Sequence, residues 1–235
     1  MPASWSASVP DFLVTGTDTG VGKTVIASAL VQALCAQGVR AIGFKPVQTG
    51  HQEGQPTDAD LLAGASSEQT PLTLPLLQLA EPLAPAVAAE RAGVRLSADD
   101  IEARVELLQR GGYTIVIEGA GGVMVPLVWG YTVLDLAERF GLEAVIVARP
   151  GLGTLNLILM TAAMLRARNV PIRAVVLNGR KHPPDLAEAT NPEALRRMLP
   201  GPVIPLIIEV PHHSASDPAA LLSSIAPLMT KVLAK

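Results

Sequence analysis

The segment Gly16-Thr17-Asp18-Thr19-Gly20-Val21-Gly22-Lys23-Thr24 combines glycines, a lysine and hydroxyls at a spacing suited to phosphate. Backbone N–H groups converge on phosphate oxygens only where the chain tolerates unusual dihedrals and close approach, and glycine permits both. A helix starting at Lys23 would add the partial positive charge of its N-terminus. Lys23 would bring a full charge to the outer phosphates, and the Thr24 hydroxyl is suited to ligate Mg2+. The common phosphate-loop pattern has glycine six residues before the lysine. Here Thr17 holds that position and the glycine lies one residue earlier, at Gly16.

Two further groups have chemistry to offer. Ile115-Val116-Ile117-Glu118 sets a carboxylate at the end of an apolar run, followed by Gly119-Ala120-Gly121-Gly122. Ligands of open α/β sheets collect beyond the carboxyl ends of strands, so Glu118 could reach a metal while the glycines let backbone approach a nucleotide. Lys45, one of five lysines, ends a second apolar run in Phe44-Lys45-Pro46-Val47-Gln48-Thr49-Gly50. A cation there could stabilise charge on a transferring phosphoryl group or an anionic substrate; a strand-end lysine is also an ordinary surface residue. Asp58 and Asp60 stand at a predicted helix start, where acids serve as caps as readily as ligands. Mg2+ takes oxygen ligands and keeps several waters, so Thr24 with one or two carboxylates would suffice.

The elements that must position these groups alternate short apolar strands with longer amphipathic segments, the βαβ pattern of a parallel sheet covered on both faces. Strands are predicted at 11–15, 40–45, 113–118, 144–148, 172–177 and 203–208. Helices are predicted at 23–37, from 57, at 97–110, near 154–168 and at 218–233. Residues 70–85 hold four prolines among leucines and are expected to be irregular. The expectation is one doubly wound α/β domain of the P-loop NTPase type over residues 11–235, with helices on both faces and residues 1–10 as a loose lead-in.

Composition narrows the function classes. A net charge of -3 and the lack of a basic stripe exclude a nucleic-acid footprint. Apolar runs are too short for a membrane span, the first residues lack a signal-peptide pattern, and no helix has a Lys/Arg-rich polar face. Cys35 stands alone, which excludes an internal disulfide and fits a reducing cytoplasm; it is expected on the buried face of the first helix. His51, His182, His212 and His213 show no transition-metal spacing.

Together these segments resemble the dethiobiotin synthetase family. The resemblance rests on Gly16–Thr24, on 45–50, 118–122 and 176–179, and on Gly151-Leu152-Gly153-Thr154-Leu155-Asn156, all in the family's order. It implies a cyclo-ligase that turns 7,8-diaminopelargonate, CO2 or bicarbonate, and ATP into dethiobiotin, ADP and phosphate with Mg2+. Implied roles are Lys23 and Lys45 flanking the reacting groups, and Thr24, Asp58 and Glu118 on the metal. Asp58 is favoured over Asp60 because Thr57-Asp58-Ala59 is similar to the family's Ser-Asp-Ala. Gly20, Val21, Gly22, Lys23, Thr24 and Val25 would hold ATP, with Glu118, Gly119, Ala120 and Gly121 beside them. Asn178 and Gly179 would line the adenine, and Pro211, His212 and His213 match the family's nucleotide loop more weakly. Thr19 and Thr49 would face the diamine. Gly153, Thr154, Leu155 and Asn156 would hold its carboxylate tail across a homodimer interface. Two rivals share the loop. Division-site ATPase switches carry a second lysine where this chain has Asp18, and cobyrinate-type amidotransferases add a nucleophilic cysteine, whereas Cys35 lies in the predicted first helix.

Overall fold

The computed structural model describes residues 9–199, 205–212 and 218–233. β1 (Phe12–Gly16) runs through the phosphate loop into α1 (Lys23–Ala36), then β2 (Ala41–Phe44) and the short β3 (Val47–Thr49). α2 (Asp58–Ala65), a 3-10 turn (Pro71–Thr73), β4 (Leu77–Leu79), α3 (Pro85–Arg91), α4 (Ala98–Arg110) and β5 (Thr114–Glu118) follow. A hairpin of β6 (Pro126–Val128) and β7 (Tyr131–Thr132) precedes α5 (Val133–Arg139), β8 (Glu143–Ala148) and α6 (Thr154–Ala167). The last elements are β9 (Ile172–Arg180), α7 (Leu186–Met198), β10 (Leu206–Pro211) and α8 (Pro218–Leu233).

The main sheet has the order β10-β9-β8-β1-β5-β2, and every neighbouring pair is parallel. Its strands are nearly all apolar because both faces are covered. Alternation along β1 shows the two sides: Phe12 and Val14 pack with α1, α2 and α8, while Leu13 packs with α4, α5 and α6. β1 lies in the middle of the sheet, between β8 and β5. The phosphate loop, Glu118 and Lys45 therefore emerge on the carboxyl edge of three adjacent strands, β1, β5 and β2.

The fold is mainly parallel α/β as the alternation predicts, and the departures have physical causes. Residues 70–85 are ordered into the 3-10 turn and β4, which pairs in parallel with β3 as a separate two-stranded sheet. Pro85 then sits at the first turn of α3, where a missing N–H costs nothing. α5 is short and α7 contains Pro192, which hides both helices from periodicity. The last predicted strand is found three residues later, at Leu206–Pro211, and residues 203–204 fall outside the described set. Residues 1–8 and His213 also lie outside the described residues. Cys35 is only half-buried and packs at the margin of the core on the α1 side. Among the described residues no helix is long and apolar enough to cross a membrane.

Candidate functional site

The phosphate loop leaves β1 tied to strands on both sides. The Gly16 N–H donates to the Gly121 carbonyl at 3.1 Å, and the Thr17 N–H donates to the Val147 carbonyl at 3.0 Å. A Cβ on Gly16 would lie 2.7 Å from the Asp18 carbonyl oxygen and 2.9 Å from Val21 Cγ2. That crowding leaves no room for a side chain at position 16. Gly22 caps α1 with φ 94°, and a Cβ there would come within 2.0 Å of Asn178 Nδ2. Gly22 brings no side chain to cap the helix, so the first-turn N–H groups remain for a ligand. Lys23 is buried to 7 % exposure and its Nζ donates to the Asp18 carbonyl at 3.1 Å. Burial holds its pKa below the usual lysine value, although Glu118 and Asp58 pull the other way.

Lys45 stands just past β2 with its ammonium between two carboxylates. Nζ donates to Asp58 Oδ2 at 2.5 Å and to Glu118 Oε1 at 2.8 Å. Glu118 Oε1 also accepts from the Thr24 hydroxyl at 3.0 Å, which links α1, β5 and the end of β2 through one carboxylate, while Asp58 brings in α2 through Lys45. Burial pulls the Lys45 pKa down, but Glu118 and Asp58 together carry it above its ordinary value. Burial pushes Glu118 up against the opposing charge of Lys45. Asp58 ends below its ordinary value, since Lys45, Thr24 and Gln48 outweigh the upward effect of burial.

The two candidate acids of α2 separate cleanly. Asp60 is the third residue of a capping box: its Oδ2 accepts from the Thr57 N–H and hydroxyl, each at 2.8 Å, and the Thr57 hydroxyl accepts from the Asp60 N–H. Asp58 is turned the other way, onto Lys45.

A cleft of about 630 Å³ opens over these groups. Its polar wall comprises Thr19, Gly20, Gly22, Lys23, Thr24, Lys45, Thr49, Asp58 and Glu118, with Val25, Ala120 and Gly121 beside them. Its apolar wall is Leu61, Val125 and the Pro82–Pro85 segment that enters α3. Val21 and Gly119 lie behind this wall: Val21 is buried in the core, and Gly119 packs so closely that a Cβ would meet Val133 at 2.8 Å.

The residues that could hold a divalent cation are one hydroxyl and two carboxylates, Thr24, Asp58 and Glu118. Glu118 is 1 % exposed, and its Oε2 is buried without a hydrogen-bond partner. A buried carboxylate oxygen in that condition is costly unless a cation or its water shell meets it. These residues fit Mg2+, whose hard oxygen preference they satisfy.

Other expected residues stand apart from the cleft in the single chain. The Asn178 Nδ2 donates to the Val21 carbonyl at 2.9 Å, so this side chain straps the phosphate loop from the end of β9. Gly179 follows it with φ 87°, and Pro211 and His212 are exposed at the end of β10. Gly153 caps α6 with φ 92°; Thr154 is buried with an unpartnered hydroxyl, while Gly153 and Asn156 are exposed. The α6 surface also exposes Met160 (60 %), Leu157 and Met164, and Leu152 (96 %) is exposed in the loop just before it.

Sequence reasoning missed three contributors. Gln48 accepts from the Ala59 N–H and supports Asp58; it is adjacent to the expected Thr49 in β3, and its partners on α2 lie ten or more residues away, so no local pattern marks it. Asn191 in α7 donates to the Pro150 and Gly151 carbonyls at 2.8 and 3.1 Å, a contact no local pattern reveals. Arg149, one residue past β8, reaches the phosphate loop through Asp18 and Thr19.

Comparison with known proteins bears on this geometry. A family model described as an AAA domain matches residues 11–220. A protein of Anaeromyxobacter dehalogenans (strain 2CP-C) named ATP-dependent dethiobiotin synthetase BioD is 46 % identical over 166 residues, 70 % of this chain and 74 % of that protein. One of the same name from Anaeromyxobacter sp. (strain Fw109-5) is 43 % identical over 186 residues, 79 % of this chain and 83 % of its own. Among solved structures, a MinC:MinD cell division complex of Aquifex aeolicus aligns with a TM-score of 0.52 at 13 % identity, covering 95 % of this chain and 93 % of that one. That last likeness shows the fold alone.

Proposed function

Since the chain belongs to the family of ATP-dependent dethiobiotin synthetases, we propose that its cleft closes the ureido ring of dethiobiotin from 7,8-diaminopelargonate, CO2 and ATP. The observation that carries this reading is Lys45, held at 2.8 Å from Glu118 and 2.5 Å from Asp58 in the same cleft as the phosphate loop. A phosphate-binding module needs Lys23 and Thr24. It does not need a second buried cation beyond the phosphates, whereas a reaction that builds an anionic carbamate beside them does.

The chemistry proceeds in three balanced steps. One amine of the substrate adds to CO2, forming a C–N bond and releasing a proton, to give a carbamate. A carbamate oxygen attacks the γ-phosphorus of ATP, and ADP leaves. The second amine attacks the carbamoyl carbon, phosphate leaves with its C–O bond broken, and a proton is lost as the ring closes. Such steps demand positioning and charge neutralisation more than covalent help from the protein. The first-turn N–H groups of α1 and Lys23 hold the β- and γ-phosphates. Lys45 balances charge on the carbamate and the transferring phosphoryl group. Thr19 and Thr49 orient the diamine, and the apolar wall from Pro82 to Pro85 excludes water from the reactive anhydride. Mg2+, when bound, neutralises phosphate charge. Thr24, Asp58 and Glu118 would hold it, with the bare Oε2 of Glu118 supporting that choice. The Asn178 carbonyl oxygen is the acceptor suited to an adenine amino group; Gly179, Pro211, His212 and His213 are proposed around the base.

The chain works as a homodimer in this reading. Leu157, Met160 and Met164 leave an apolar face on α6, with Leu152 exposed in the loop before it, next to the helix start Gly153–Asn156. That start suits a carboxylate, and the unpartnered Thr154 hydroxyl could donate to one. A partner seated on this face would present the carboxylate site to the other subunit's cleft.

The test is direct. Purified protein with diaminopelargonate, bicarbonate and Mg-ATP is expected to yield dethiobiotin and ADP in equal amounts. ATP hydrolysis that ignores the diamine and gives no ring product would overturn the reading in favour of a nucleotide switch.

A further inference from the structure

Arg149 is the last residue before the Pro150-Gly151 loop that leads to α6, and its guanidinium lies over the crest of the phosphate loop. One nitrogen donates to the Thr19 carbonyl at 3.2 Å and another faces Asp18 Oδ2 at 3.5 Å. Asp18 in turn accepts the Thr19 N–H on Oδ1 at 2.7 Å. The fork of one arginine thus grips both the backbone and the side chain of the Asp18–Thr19 turn. Its own backbone is anchored: the loop after it is held from α7 by Asn191, a residue only 6 % exposed.

Stability does not explain this contact. The side chains of Arg149 and Asp18 are 61 % and 57 % exposed, and exposed pairs of that kind contribute close to nothing to folding. The phosphate loop also has a second, separate strap, the Asn178 amide on the Val21 carbonyl. Asn178 grips the half of the loop that turns into α1. Arg149 grips the half that carries Thr19 into the cleft.

We propose that Arg149 is a positioning residue that fixes the Asp18–Thr19 turn, so that Thr19 meets the diamine in one place while Asn178 independently fixes the nucleotide half of the loop. This rests on the proposed function insofar as Thr19 faces the diamine. Lysine cannot replace arginine fully here, because a point charge reaches Asp18 or the Thr19 carbonyl but lacks the planar fork that engages both.

The experiment compares the wild-type protein with Arg149→Ala, Arg149→Lys and Asp18→Asn. Steady-state kinetics give the diamine KM and kcat, and a fluorescent ATP analogue gives nucleotide Kd. Hydrogen exchange over residues 16–22 reads the loop without any turnover. Arg149→Ala is expected to raise the diamine KM about tenfold, leave nucleotide Kd within about twofold and speed exchange at the crest. Arg149→Lys should recover part of the KM, and Asp18→Asn combined with Arg149→Ala should add little to Arg149→Ala alone. A nucleotide Kd weakened as much as the diamine KM would overturn the division of labour. Unchanged exchange and unchanged KM would reduce Arg149 to a surface ion pair and overturn the proposal. If the wild-type protein makes no dethiobiotin, the functional reading fails by itself, and the exchange comparison still decides whether Arg149 holds the turn.

Discussion

Replacing Lys45 by methionine keeps most of the buried stem and removes the charge that two carboxylates share. Glu118 is the partner that suffers, since its side chain is 1 % exposed against 9 % for Lys45. Breaking a buried pair from one side costs about 3–5 kcal/mol, because the remaining charge has neither water nor partner. Asp58 is 39 % exposed on its side chain, so it regains water and adds at most about 1 kcal/mol. For a chain of this size each kcal/mol moves Tm by about 2–4 °C, so Lys45→Met should melt roughly 6–24 °C lower at neutral pH. The defect depends on pH with a definite sign. Glu118 already has its folded pKa raised by burial above an ordinary 4.5, and losing Lys45 raises it further. Below its unfolded pKa the carboxyl is neutral in both states and no penalty exists. The penalty sets in as pH rises past the unfolded value, grows toward the raised folded value and is complete above it. Melting curves recorded in EDTA, without nucleotide, should therefore show a smaller gap between wild type and Lys45→Met near pH 5 than near pH 8. Lys45→Met/Glu118→Gln removes both members of the buried pair and should regain more than half of the lost stability. In the ring-closure assay Lys45→Met should lose about 10²–10³ in kcat with nucleotide affinity little changed. A double variant no more stable than Lys45→Met, or a gap that widens toward acid, would refute the buried-pair account.

Two other perturbations test separate parts of the site. Gly22→Ala forces a Cβ to within 2.0 Å of Asn178 Nδ2 at φ 94°; nucleotide affinity should fall at least about tenfold, with about 1–3 kcal/mol of stability lost to strain, checked by titration calorimetry and thermal melting. Met160→Lys puts a charge on the exposed apolar face of α6; light scattering should show a dimer for the wild type and a monomer for the variant, and the diamine KM should rise with nucleotide Kd unmoved.

The parts of this molecule that could be read from sequence are those whose chemistry is local. A strand, a glycine-rich turn and a helix are contiguous at 12–36, so the phosphate loop needs no tertiary information to be recognised. Glu118 and Lys45 each end an apolar run, and position at a strand end already implies the ligand edge of a parallel sheet. What residue order could not give is the identity of partners. Nothing local distinguishes a strand-end lysine in water from one held by Asp58 and Glu118, since those carboxylates lie 13 and 73 residues away. Arg149 was hidden for the same reason: its partner Asp18 is 131 residues distant. Helices were lost where proline masked periodicity, as at Pro192 in α7. The β3–β4 pair was lost because three-residue strands carry too little alternation to register.

Asp58 and Asp60 show how far local rules reach and where geometry takes over. Both acids sit in the first turn of α2, and capping alone predicts that either could serve the helix. In a capping box the third helical residue is the one whose side chain reaches back to the N-cap, and in α2 that residue is Asp60. The requirement of the cap thereby releases Asp58, at the first helical position, to face Lys45. Asp60→Asn should cost about 0.5–1 kcal/mol, seen as a slightly lower Tm, with kcat and the Mg2+ requirement as in the wild type. Asp58→Asn should leave the cap intact yet raise the Mg2+ concentration for half-maximal activity and lower kcat, because it removes a proposed metal oxygen and one of the two charges that hold Lys45. The reverse pattern, with metal dependence following Asp60, would mean that the helix start rearranges when nucleotide binds and that the capping box yields to the metal.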